Sequence, residues 1–89
     1  MKIHNKKLVQ PYFDDVWNGS KTFEIRKNDC DYQVGDIIIL REFDKKTNKY
    51  TGDWIMTKII YKIDNFVGIE QGYCVLGIKV LERGVGERC

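Results

Sequence analysis

Lys21, Glu24 and Arg26 are the side chains of this 89-residue chain best suited to chemistry, and they fall within six positions of one another. Arg26 offers a planar fork that fits a phosphate or a base edge. Glu24, ionised, only accepts hydrogen bonds, so it suits an exocyclic amine such as that of cytosine or adenine. Lys21 can reach a phosphate or a carbonyl. A Lys21–Glu24 pair would also activate a water if burial drew the lysine toward neutrality. The same trio is equally a plain surface ion-pair ladder, which contributes little to stability.

Placing these groups falls to the run Asn18-Gly19-Ser20-Lys21-Thr22-Phe23-Glu24-Ile25-Arg26-Lys27. Alternation along a strand over 22–27 puts Thr22, Glu24 and Arg26 on one face and Phe23 and Ile25 on the other. The expectation is that Phe23 and Ile25 enter the core while the charged set faces a polar hollow. Asn28 keeps the parity of Arg26 and either extends that face or simply forms the turn Asn28-Asp29-Cys30-Asp31. Upstream, Gln10-Pro11 opens a helix with Pro11 at its first position, where a missing N–H costs nothing. Asp14 and Asp15 favour its positive end. Tyr12, Phe13, Val16 and Trp17 form its apolar stripe, and Gly19 supplies the left-handed cap.

The rest reads as strands. Met1–Val9 is the first, with Ile3 inward. His4, the single histidine, is a structural hydrogen-bonding residue or a member of the site. Tyr32 and Val34 pack inward before the Gly35-Asp36 turn. Ile37–Phe43 is a β-branched strand, and Asp44–Asp53 is a charged connection. There Lys45, Lys46 and Lys49 form the densest basic patch: a solvated tip, or a finger for phosphates aided by Tyr50 and Trp54. From Trp54 to Ile63, Ile55, Thr57, Ile59, Tyr61 and Ile63 alternate with a more polar set. Phe66 and Ile69 plug a glycine-bearing loop. Tyr73–Leu81 closes the sheet, with Gly77 marking a bulge or a close backbone approach. Glu82–Cys89 reads as a flexible tail. The fold class is therefore mainly β (α+β): a small barrel of about five to six strands, with one principal helix after the first strand.

The pattern Gly19-x-Lys21-x-x-Glu24-x-Arg26, followed by Val34-Gly35-Asp36 and an apolar strand, resembles the ASCH family of the PUA-like superfamily, in a small stand-alone branch of bacteria and their phages. The likeness runs over about His4–Leu81, so residues 1–81 would be a single ASCH/PUA-like domain. It implies a PUA-like β-barrel with a cleft beside the first helix that binds RNA or a modified nucleoside, and it places a histidine near His4. The ligand set expected on this basis is Lys21, Glu24, Arg26, Asn28, His4 and Tyr73, with Trp17 and Trp54 as further stacking candidates. Some small ASCH proteins are similar to amidohydrolases that deacylate N4-acylcytidine. Lys21 matches their lysine, but Glu24 stands where their threonine would be. Catalysis would then rest on Lys21 and Glu24 alone. A protein-interaction module, for instance a phage-encoded inhibitor using the lysine hairpin, is a third reading.

Composition trims the field. A net charge of +2 permits a nucleic-acid partner without announcing one. No run approaches the length of a membrane span, and the basic start Met1–Lys7 lacks the apolar core of a secretory signal. Cys30, Cys74 and Cys89 are scattered, which argues for reduced thiols in a cytoplasm and against a zinc site. One histidine leaves no basis for a metal or other cofactor, and there is no P-loop or nucleophile elbow.

Overall fold

The computed structural model describes residues 1–86. Five strands form one curled sheet in the order β1-β3-β4-β5-β2: β1 (Ile3–Leu8), β2 (Phe23–Lys27), β3 (Ile37–Asp44), β4 (Lys49–Asp64) and β5 (Tyr73–Gly84). The β1–β3 pair is parallel and the other three are antiparallel. The result is a half-barrel, mostly β as expected, with β1 and β2 as free edges.

Alternation builds the interior. Ile38 and Leu40 of β3, Ile55 and Ile59 of β4, and Leu76 and Ile78 of β5 point inward and are buried. The hydroxyl of Thr57, also buried, donates to the Ile38 carbonyl at 2.8 Å, which satisfies it. The helix α1 (Tyr12–Trp17) fills the inner opening with Phe13 and Val16. Six residues cannot hold a helix alone in water, so those two buried side chains stabilise it. Pro11 sits at the cap, one residue before the position expected of it. Gln10 serves the first turn instead, its side-chain oxygen accepting from the Asp14 N–H. Gly19 follows the helix with φ +87°, as the sequence required.

Several expectations are corrected. Ile3, Val34 and Phe66 are exposed and Ile69 is only half-buried. The inward residue at the start of β1 is His4, because its neighbour across β3 is the buried Ile38. The lysine connection is shorter than read: the turn covers 45–48, and β4 already runs from Lys49. Tyr61 does not share the face of Ile55, Thr57 and Ile59, because a bulge at Ile60 shifts the register between Ile59 and Tyr61. Gly77 lies opposite that bulge, where a Cβ would come 3.1 Å from Tyr61 Cβ. β5 continues past Leu81 through a second bulge, so Glu82–Gly84 pair with β4 rather than forming a tail. Cys89 and the end of the expected tail lie outside the described residues.

Candidate functional site

The turn after α1 is what aims Lys21. The Asn18 side chain accepts from the Ser20 N–H at 2.9 Å, and the Lys21 N–H donates to the Asp15 carbonyl at 2.8 Å. From that pinned position Lys21 Nζ folds back over the Phe23 ring, 5.0 Å from its centroid. It donates to the Phe23 carbonyl and to Glu24 Oε2, each at 2.6 Å.

Glu24 is the surprise of β2. It is buried, while Phe23 and Ile25 are exposed. Alternation along the strand holds, but its faces are reversed from the expected ones. The cause is β5: Glu24 lies opposite Leu76 and Arg26 opposite Cys74, and both of those β5 residues are fully inward. Cross-strand partners share a face, so the β5 core residues carry Glu24 and Arg26 in with them. Burial of the carboxylate is tolerable because each oxygen has a cation: Lys21 on Oε2, and Arg26 Nη2 at 3.4 Å from Oε1.

Arg26 does more than pair. Its Nη2 also donates to the Lys7 carbonyl at 3.1 Å, across the gap between the free edges of β1 and β2. Its Nε is buried and has no hydrogen-bond partner among the described residues. Along this seam runs an open cleft of about 810 Å³, bounded by the end of β1, by α1 and by 20–26. Lys21, Glu24 and Arg26 thus come together in the wall of one hollow. Tyr12, Phe23 and Ser20 line it as well. The helical spacing puts Tyr12 in the apolar stripe, but it is half exposed and lines the cleft. The spacing that placed Phe13 and Val16 inward leaves Tyr12 on the flank of the helix, and that is the signal that marks it.

The other expected ligands lie elsewhere. His4 Nε2 is 2.9 Å from Asp36 Oδ2, and its ring packs 4.7 Å from that of Tyr32. Asp36 also accepts from the backbone N–H groups of Lys2 and Gln33. Those bonds, the one from Lys2 foremost and then the one to His4, hold the buried Asp36 carboxyl down at about 2. His4 therefore ties β1 to the 32–36 turn and does not line the cleft. Asn28 donates to Asp64 at 3.0 Å and closes a loop. Tyr73 stands opposite Lys27 on the outer face. Trp17 packs on Phe13 at 6.0 Å, and the indole of Trp54 covers Gly84. Lys45 and Lys46 border a second hollow of about 440 Å³, away from Lys21. Among the described residues no group of three His, Cys, Asp or Glu is placed to hold a metal ion, and no helix is long and apolar enough to cross a membrane.

Fold and site together define a small open β-barrel with a charged, aromatic-lined cleft along its seam. The chain belongs to the family described as Domain of unknown function (DUF3850), whose model matches residues 3–78 and so contains the whole cleft. A stretch of 42 residues, 47% of the chain, is 50% identical to a protein of Escherichia phage P2 described as an uncharacterized 12.9 kDa protein in GpA 3' region. That match covers 38% of the phage protein's length.

Proposed function

We propose that the domain binds RNA or a nucleoside in the seam cleft, in a reducing cytoplasm. The observation that carries this reading is the meeting of the Arg26 guanidinium and two aromatic rings, Tyr12 and Phe23, in one hollow. A ring to stack on and a cation for phosphate or carbonyl are what an unstacked nucleotide needs. Glu24 is better suited to holding the two cations than to reading a base, since both its oxygens are already engaged. The resemblance to ASCH domains supports the same choice of ligand. A labelled single-stranded RNA titrated against the native chain, Lys21→Ala and Arg26→Ala tests it. Weaker binding in both variants, falling further with salt, is expected; unchanged binding in both rejects the cleft.

A second reading, hydrolysis of N4-acylcytidine, is favoured by the 2.6 Å contact between Lys21 Nζ and the buried Glu24 carboxylate. Incubation with N4-acetylcytidine at high protein concentration would release cytidine. No turnover ends that reading for this substrate and leaves the binding reading intact.

A further inference from the structure

The outside of the half-barrel carries an uncovered apolar face. Because Cys74, Leu76 and Ile78 point inward, Gly77 and Lys79 of β5 point out. In register, Gly77 lies between Phe23 of β2 and Tyr61 of β4. Phe23 is 41% exposed, Ile25 59% and Tyr61 62%. The Ile60 bulge turns Tyr61 outward, and the missing side chain at Gly77 keeps the floor between the two rings low. Contiguous exposed apolar surface of this kind on a small domain marks a contact site.

Charge selects the partner. Lys58 and Lys79 are directly opposite each other on β4 and β5, and both are exposed. Like charges in that position repel. Lys27 borders the other end of the patch, opposite Tyr73. Among the described residues none of these three lysines is ion-paired. No acid occupies an outward position within 23–27, 58–63 or 73–79. A second copy docked about a two-fold axis would bring these cations toward their own images. A polyanion would relieve their repulsion. Rings set on a sheet and flanked by lysines form the platform on which single strands stack their bases. Phe23 and Ile25 also line the seam cleft, so face and cleft are continuous.

We propose that this outer face binds single-stranded nucleic acid, with bases against Phe23 and Tyr61, phosphates at Lys58, Lys79 and Lys27, and the strand running on into the seam cleft. This rests on the cleft being a nucleic-acid site and specifies its ligand as a strand of several nucleotides rather than a free nucleoside.

The test is fluorescence anisotropy with a labelled oligouridylate of about twelve nucleotides, a length that spans cleft and face together. Tyr61→Ala, at an exposed position outside the cleft, should weaken binding at least about fivefold, and Tyr61→Phe should restore it. The double variant Lys58→Gln/Lys79→Gln should lower affinity and flatten the log–log salt slope by about 1.4, or 0.7 per lost phosphate contact. Binding that falls in Lys21→Ala and Arg26→Ala but is untouched by these face variants overturns the proposal and leaves the cleft reading standing. Binding that falls in the face variants but not in Lys21→Ala or Arg26→Ala keeps the platform and removes the continuation into the cleft. No binding by the native chain overturns both, and a dimer in sedimentation that Tyr61→Ala dissolves would then assign the face to a second copy.

Discussion

Arg26 Nη2 lies 3.1 Å from the carbonyl oxygen of Lys7, so a side chain from one free edge of the sheet hydrogen-bonds the backbone of the other. The five strands do not close, and this contact spans the opening. The same nitrogen reaches Glu24 Oε1, which couples the seam to the buried acid. Lys21 completes the set from the turn after α1. The cleft is thus a consequence of the unclosed barrel, and its charges are held by the residues that keep its edges in place.

The Lys21–Glu24–Arg26 set predicts an unequal response to removing its members. Lys21 and Arg26 keep side-chain exposures of 15% and 20%, while that of Glu24 is 3%. With Glu24→Gln the two cations can still turn to water, and the amide still accepts a hydrogen bond. With Lys21→Met the buried carboxylate keeps only the longer contact to Arg26. Lys21→Met should therefore destabilise more, by about 1–3 kcal/mol, and Glu24→Gln by less than that. Urea unfolding of both variants decides it, and the reverse order would show that Glu24 is better solvated than its burial indicates.

How much of this the sequence disclosed turns on β2. Its alternation correctly separated Phe23 and Ile25 from Glu24 and Arg26, yet which set faces inward is not written in β2 itself. Two apolar residues ordinarily win the interior, and here they lose it. The decision belongs to β5, some fifty residues on, whose Cys74, Leu76 and Ile78 form a stricter inward set, with Cys74 and Leu76 in register opposite Arg26 and Glu24. Local pattern reports period, and long-range register reports direction. The bulge at Ile60 was hidden for the same reason, since a one-residue shift shows only against the paired strand. The Gly19 cap and the β3 core were legible because each depends on neighbours in sequence. Lys21, Glu24 and Arg26 were found together because a single turn and strand carry them. His4 was drawn away by Asp36, a partner 32 positions distant.

The Asp36 carboxyl sits at about 2 against an ordinary 3.8, held there by the Lys2 N–H first and the His4 ring next. A carboxyl depressed by folding contributes stability that is full above its unfolded value and is lost as pH falls through the folded one. Thermal unfolding should therefore show a loss of about 2 kcal/mol developing between pH ~4 and ~2. Asp36→Asn should be less stable at neutral pH and flatter across that acid window. A native-like acid slope in Asp36→Asn would assign the effect to other carboxylates.

Gly84 pairs with Trp54 at the end of the β4–β5 ladder, and a Cβ there would overlap the indole. The ring has to move or the strand end has to open. Gly84→Ala should cost about 1–3 kcal/mol by overpacking and change the tryptophan emission. Gly19→Ala is the contrast: among the described residues nothing beyond its chain neighbours lies within 4 Å of its would-be Cβ, but its φ is +87°. It should cost about 1 kcal/mol from backbone strain alone, with emission unchanged. Thermal melts followed by fluorescence separate the two mechanisms, and matching emission changes in both variants would refute the distinction.

Tyr12 gives the sharpest separation of function from fold. It is 50% exposed on α1 while its neighbour Phe13 is 1% exposed, so its ring adds little to the core and much to the cleft wall. Substitution at such a surface position ordinarily changes stability by no more than about 0.5 kcal/mol. Under the nucleotide reading the ring is a stacking partner, and removing it should cost about 1–3 kcal/mol of binding, or roughly five- to 150-fold in affinity. Tyr12→Ala should therefore melt with the native chain and bind single-stranded RNA far more weakly, while Tyr12→Phe binds normally. A variant that loses stability and affinity in proportion would return Tyr12 to the core stripe. A variant that melts and binds like the native chain would remove it from the site and leave Phe23 to supply the stacking surface.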